Sequence, residues 1–242
     1  LGAVGVNIRA VAQGASSRSI SCVIDAAETQ VAVRTVHAAF NFAHQQVSLL
    51  VLGKGTVGGH LLSQIAAERA TLETRHDAEL DVVGVVGRQG VAFDPEGIDP
   101  ANWTGRMAPW GGGGAPDVLP LLDRLRRLPV PVLVDCTAAD GMESLYLEAF
   151  ARGIHVVAAN KKPLTIPWEA RERLMEAARR SHRFYNYETT VGASLPVIDT
   201  LKNLVRTGDR VLRIEGSFSG TLGFVANEVM AGHGLSDVVR RA

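Results

Sequence analysis

The chain has 242 residues, 46% of them hydrophobic and 21% charged, enough to bury an α/β core and something smaller beside it. Lys plus Arg and Asp plus Glu number 25 each, and this balance argues against a nucleic-acid or membrane-surface partner. No apolar run reaches the roughly 18 residues of a membrane-spanning helix. Cys22 and Cys136 lie far apart without metal-type spacing, which predicts a reduced, cytoplasmic chain. The opening, LGAVGVNIRA, carries neither an initiator Met nor a signal-peptide pattern, and a fragment of a longer protein is expected.

Residues 1 to about 40 read as a small α+β unit. VNIRAVAQG and SISCVIDA are short strand-like runs, with Gly14-Ala15-Ser16-Ser17 as the turn between them. In AETQVAVRTVHAAF the residues Val31, Val33, Val36, Ala39 and Phe40 predict a helix with one buried face. Residues 41–46 form a short polar connection. From Val47 strands and helices alternate. The strand candidates are 47–53, 80–87, 131–137, 154–159, 183–188 and 210–218. The helix candidates are 57–75, 116–128, 140–152, 167–182, 194–206 and 220–231. This alternation predicts an α/β fold with a doubly wound, mostly parallel sheet. VPVLVDCT and GIHVVAAN are nearly continuous apolar runs, as strands covered on both faces require. Residues 88–116 break the rhythm, and Gly111–Gly114 read as a flexible loop.

The strand at LLVL runs into Gly53, Gly55 and Gly58, spaced G-x-G-x-x-G at the opening of a helix. In this context the first glycine allows a tight turn, the second lets a pyrophosphate approach, and the third lets helix and strand pack closely. Free amides at Thr56, Val57 and Gly58 would then face the anion. The plainer alternative is a packing corner. The next strand ends VVGVVGRQG, with no acid to hold a ribose 2′-hydroxyl. Gly87 is followed instead by Arg88, whose forked donors suit a 2′-phosphate. That favours NADP and leaves NAD open; a solvated loop arginine is the alternative.

Four later stretches resemble homoserine dehydrogenase: VDCTAADG (134–141), HVVAANKKPLT (155–165), YETTVGASLPVIDTLKNL (187–204) and EGSFSGTLGFVANEV (215–229). VNIRAVAQGASSRSISCVID (6–25) resembles the ACT regulatory module of aspartate kinases. This order is that of the bifunctional aspartokinase/homoserine dehydrogenase family. The resemblance covers nearly the whole chain, least at 88–116. It implies a partial ACT-like unit at 1–42, a Rossmann-type NAD(P)-binding domain at 47–187, and the start of a truncated substrate domain at 188–242. The kinase domain of the family would lie upstream.

The resemblance also implies roles. Lys161 would contact cofactor and substrate and polarise the reacting oxygen, since a cation there stabilises alkoxide-like charge. A solvated Lys-Lys pair before Pro163 is the alternative, and it suits Lys162 better. Thr137 would touch the nicotinamide ribose or carboxamide. Cys136 reads as a buried structural thiol. The Glu188 carboxylate and the carbonyls of Val191, Ala193 and Leu195 would hold a sodium ion with hard oxygen donors. This chain has Ser194 where the family has Gly, and the alternative is a turn capping the helix from Ser194. Gly216, with Ser217 to Thr221, would line the substrate cleft, or else form a strand-to-helix corner with Ser219 or Thr221 as cap. Asn7 and Gln13 would hold an amino-acid effector, threonine being usual in the family, or would merely stabilise turns.

The implied reaction is NAD(P)-dependent interconversion of L-homoserine and L-aspartate 4-semialdehyde, by hydride transfer at nicotinamide C4, in threonine and methionine synthesis. The implied state is a homo-oligomer, with no nucleic-acid or membrane partner. In the family an acid-rich segment carrying a catalytic lysine comes later, and this chain ends GLSDVVRRA before any such stretch. Cofactor binding with little turnover is expected, and an exposed apolar face at 210–231 should favour association. Two alternatives stand beside this one. The first is a regulatory amino-acid-binding module with a non-catalytic nucleotide domain. The second is a dehydrogenase that attacks a semialdehyde through Cys136.

Overall fold

The computed structural model describes residues 1–13, 20–39, 45–110, 117–193, 195–216 and 218–242. The predicted turn at 14–17, Phe40, most of the 41–46 connection, the Gly111–Gly114 loop, Ser194 and Ser217 lie outside the described residues. The chain divides into two units, Leu1–Asn186 and Tyr187–Ala242.

The first unit opens with β1 (Ile8–Gln13) and β2 (Ile20–Ile24), an antiparallel pair, followed by α1 (Thr29–Ala39). Asp25 ties this segment together. It accepts from the Ala27 amide and pairs with Arg9 at 3.1 Å. The ribbon is open to solvent, with Val11 60% and Ile20 69% exposed. The helix forms as its spacing predicts, but Ala32 is buried, whereas Val33 and Val36 are exposed. Periodicity locates an apolar side but not the neighbour that covers it.

Next come β3 (Gln45–Leu52), α2 (Thr56–His76), β4 (Ala78–Gly87), β5 (Gly90–Phe93), β6 (Ala108–Pro109), α3 (Leu119–Leu125), β7 (Pro131–Asp135), α4 (Met142–Ala151), β8 (His155–Ala158), α5 (Trp168–Arg180) and β9 (Tyr185–Asn186). The sheet order is β6-β5-β4-β3-β7-β8-β9. The five strands from β4 to β9 are parallel, and β5 and β6 add an antiparallel edge. This is the expected Rossmann-type α/β fold. Leu49, Val51, Val82, Val85, Val132 and Val134 pack with Leu62 and Ile65 of α2. Leu50, Leu133 and Val156 are fully buried too, which is why these strands read as unbroken apolar runs.

The sequence reading needs correction at the edges. Residues 88–116 contain β5 and β6, because Gly87 and Gly90 flank a two-residue hairpin turn at Arg88-Gln89. The predicted strand 183–188 shortens to β9.

The second unit holds α6 (Val197–Arg206), α7 (Gly220–Met230) and α8 (Leu235–Arg241). No strand forms at the described residues of its predicted strand 210–218. A strand needs a ladder partner, and none exists among the described residues of this unit. The apolar groups there are open to solvent: Leu212 is 85% and Met230 88% exposed. Among the described residues no helix is long and apolar enough to cross a membrane.

Candidate cofactor site

β3 pairs with β4 on one side and β7 on the other. The chain therefore reverses its winding beside β3, and the carboxyl ends of the strands at such a reversal are where α/β sheets bind ligands. The glycine turn lies at this point. Gly53 has φ +89°, and a Cβ on it would meet the Cys136 carbonyl at 2.9 Å. A Cβ on Gly58 would fall 1.9 Å from the Gly53 oxygen. Gly55 is different: a Cβ there would meet nothing within 4 Å. The outer glycines are demanded by packing, and the middle one faces open space. Gly55 precedes α2, with no side chain capping the helix. The amides of Thr56 and Val57, in the first turn, lack an intrahelical partner, and Val57 is exposed.

The end of β4 touches this turn. A Cβ on Gly87 would meet the Lys54 side chain at 2.7 Å. The Gly87 carbonyl accepts from Trp110 Nε1 at 2.9 Å. Arg88 is exposed in the hairpin turn on the same sheet edge, and no acidic side chain ends β4.

The facing wall is built on a buried carboxylate. Asp135 ends β7 and is wholly buried. Its Oδ1 accepts from the Thr137 amide at 2.8 Å. Its Oδ2 accepts from the Tyr146 hydroxyl at 2.5 Å and from Asn160 Nδ2 at 3.2 Å. Asn160 Nδ2 also reaches the Ala139 carbonyl at 2.9 Å, while Asn160 Oδ1 accepts from the Lys162 amide. Asn160 thus clips the loop after β7 to the loop after β8 and fixes the backbone on both sides of Lys161. Lys161 is exposed, and no hydrogen bond or ion pair holds its side chain among the described residues. Lys162 pairs with Asp140 at 2.8 Å. Burial first, then the Asp135 charge, push the Tyr146 hydroxyl far above its ordinary range. The same two causes raise the Cys136 thiol to about 11. Cys136 is therefore protonated at neutral pH, which argues against the thiol-nucleophile reading.

In the second unit, Glu188 caps α6. Its two oxygens accept from the amides of Ile198 and Asp199, both at 2.8 Å. The Leu195 carbonyl accepts from Val197. Val191 precedes Gly192 and Ala193, both of which have positive φ. The helix expected from Ser194 starts at Val197 instead, after Pro196. Gly216 packs on Phe218, whose ring a Cβ would meet at 2.8 Å. Ser219 caps α7 through Leu222, as the corner alternative anticipated.

Asn7 and Gln13 are exposed and lie before and at the end of β1. Six residue steps of extended chain place them about 20 Å apart.

The sequence profile described as the homoserine dehydrogenase NAD-binding domain matches residues 53–188, more than half of the chain. The chain belongs to the homoserine dehydrogenase family. An ACT-domain profile matches residues 1–40, and a second homoserine dehydrogenase profile matches 196–242. The bifunctional aspartokinase/homoserine dehydrogenase 1 of Arabidopsis thaliana is 36% identical across the whole of this chain, and that of Haemophilus influenzae is 34% identical. The chain spans 27% and 30% of their respective lengths. A hyperthermophilic archaeal homoserine dehydrogenase solved with NADPH superposes with a TM-score of 0.66 at 25% identity, over 81% of this chain and 60% of that one.

As a homoserine dehydrogenase relative, the chain carries a nucleotide-cofactor domain, and its glycine turn fits a dinucleotide. The middle glycine leaves open space, the helix presents free amides, and no acid ends β4. The sequence reading missed Asp135 and Tyr146 and saw Asn160 only as the neighbour of Lys161. The available signal was an acid closing the apolar run VPVLVD, since a buried carboxylate needs partners.

Proposed function

We propose that the protein is the dehydrogenase part of a bifunctional aspartokinase/homoserine dehydrogenase and interconverts L-homoserine and L-aspartate 4-semialdehyde with NADP(H). The observation that carries this is the glycine turn at the sheet's winding reversal, facing a wall that presents Lys161. In this reading 1–42 is regulatory, 47–187 binds cofactor and 188–242 begins the substrate domain.

The backbone of Gly53, Gly55, Thr56, Val57 and Gly58 holds the pyrophosphate, supported by the uncapped start of α2. Arg88 pairs with the 2′-phosphate. Thr137, whose amide is held by Asp135, positions the nicotinamide end. The cofactor when bound supplies a hydride donor or acceptor at its C4. Lys161 places a cation at the substrate oxygen, where negative charge develops as the carbonyl is reduced, and preorganised charge there lowers the barrier. Asn160 keeps the backbone around Lys161 in place as this happens. Gly216 belongs to the substrate surface of the second unit.

A sodium ion at Glu188 and the carbonyls of Val191, Ala193 and Leu195 belongs to the same proposal. The hard oxygen donors and the left-handed turn at Gly192-Ala193 support it. To the same proposal belong a threonine effector held by Asn7 and Gln13 of different copies of the chain, a homo-oligomer, and a reducing, cytoplasm-like compartment in keeping with the two free cysteines.

The test is fluorescence titration of the folded chain with NADPH and NADH, repeated with Lys161→Ala and Lys162→Ala. NADPH should bind, more tightly than NADH, and Lys161→Ala should weaken it more than Lys162→Ala. A folded chain that binds neither nucleotide overturns the proposal.

A further inference from the structure

At the opposite, N-terminal edge of the same sheet lies a concavity of about 230 Å³. Val4 and Thr35 of the N-terminal segment form one wall. Val130, His155 and Arg183, which lead into β7, β8 and β9, form another, and Arg126 closes it from the end of α3. Among its described lining residues there are two arginines and a histidine but no carboxylate.

The Arg126 side chain is 40% exposed, and neither arginine faces an acid within the hollow. Nε of Arg126 and Nε of Arg183 are both buried without a hydrogen-bond partner. The nearest acid to Arg126, Asp123, stands 4.0 Å from its Nε and accepts instead from Arg152 at 3.0 Å. Arg183 stands beside Gly153, whose φ is +75° and on which a Cβ would fall 3.3 Å from the guanidinium. His155 Nδ1 accepts from the Phe184 amide at 3.0 Å, so its neutral ring carries the proton on Nε2 and is a donor. Burial, then the Arg183 charge, hold it below its ordinary pKa. Every charged or titratable group lining the hollow is therefore a donor. Two guanidinium groups and an imidazole N–H thus converge on a hollow lined by no carboxylate, and an oxyanion would supply the missing counter-charge to their accessible N–H groups.

We propose that this concavity is a binding site for a small oxyanion, a carboxylate or phosphate of metabolite size, held by Arg126 and Arg183. At about 230 Å³ the hollow falls below the range of drug-sized ligand and cofactor pockets. The lack of an acid disfavours a ligand bearing an amine. The site is separate from the cofactor edge, because Thr137 and Lys161 follow the opposite ends of β7 and β8. A ligand here would tie the N-terminal segment to the sheet.

The experiment uses the whole 242-residue chain, with inorganic phosphate in one arm and succinate in the other, against chloride at equal ionic strength. Calorimetry should show saturable binding of at least one anion, and the responding arm tells phosphate from carboxylate. Saturation matters because phosphate also stabilises proteins non-specifically. Arg183→Gln and Arg126→Gln should each weaken binding about tenfold or more, as loss of a charge-assisted bond implies, with NADPH binding retained. Two outcomes overturn the proposal: no saturable binding of either anion to the unaltered chain, or binding that survives in both variants. If one variant fails to fold, the other decides. If both fail, blockage of arginine modification by the bound anion decides, and unprotected Arg126 and Arg183 overturn it.

Discussion

A Cβ built on Gly58 would fall 1.9 Å from the carbonyl oxygen of Gly53. The obstacle is backbone, so neither side can yield by a rotamer change. Gly58→Ala should therefore destabilise the chain by about 1–3 kcal/mol, as overpacking does, and abolish NADPH binding. Gly55→Ala is the contrast, since open space surrounds that residue. It should lose only about 0.5–1 kcal/mol, the cost of Ala in place of Gly at a helix N-cap, yet bind NADPH more weakly. Urea unfolding with NADPH titration separates the two. Equal stability of both variants would refute the packing argument.

The Tyr146 hydroxyl is 2.5 Å from Asp135 Oδ2, and both residues are fully buried. Tyr146→Phe leaves the carboxylate with one donor fewer and should cost about 1–3 kcal/mol. Asp135→Ala should cost more, because it strands Tyr146, Asn160 and the Thr137 amide together. If Asn160 positions Lys161 through this carboxylate, Asp135→Ala should also weaken NADPH binding in conditions where the variant is folded. An Asp135→Ala chain as stable as the parent would show the cluster to be dispensable.

These two sites show what sequence makes legible. The Gly53–Gly58 corner is encoded within six residues, and its spacing carries its geometry. The Asp135 cluster joins residues up to 25 positions apart, and no local pattern announces such pairing. The same limit explains the edges. VLRIEGSF is apolar enough for a strand, but a strand exists only if another pairs with it. Glu188 caps a helix that begins nine residues later, outside the reach of the usual capping pattern.

Cys136 should behave as an unreactive thiol. Burial raises its pKa from 9.0 to about 11. Because the folded value lies above the unfolded one, its contribution to stability is complete below pH 9 and is lost as pH rises towards about 11. Alkylation followed by peptide mass spectrometry at pH 7 to 8 should label Cys136 far more slowly than the unfolded chain does, with the rate climbing at higher pH. Rapid labelling of folded Cys136 at pH 7 would reopen the nucleophile reading.

Glu188 accepts from Ile198 and Asp199 at the start of α6. Glu188→Ala removes both bonds and a charge that complements the helix dipole, at a cost of about 1–2 kcal/mol. Glu188→Gln should recover part of it. Thermal melts in sodium and in choline chloride then test the ion. A sodium-dependent midpoint in the parent that vanishes in Glu188→Ala supports the cation, and identical melts in both salts leave Glu188 as a helix cap alone.

Arg88 sits in the exposed hairpin turn after Gly87, where an acid would select NAD. Arg88→Ala should weaken NADPH about tenfold, the scale of one charge-assisted contact, and leave NADH nearly unchanged. Gly87→Asp tests the converse. The new side chain would press on the Lys54 stem, since a Cβ there meets Lys54 Cε at 2.7 Å, but a flexible stem can move away. The variant should gain NADH affinity and lose NADPH affinity, because its carboxylate can accept from a ribose hydroxyl and repels a phosphate. Parallel titrations with both nucleotides read the ratio directly, and an unchanged ratio in both variants would place 2′-phosphate recognition elsewhere.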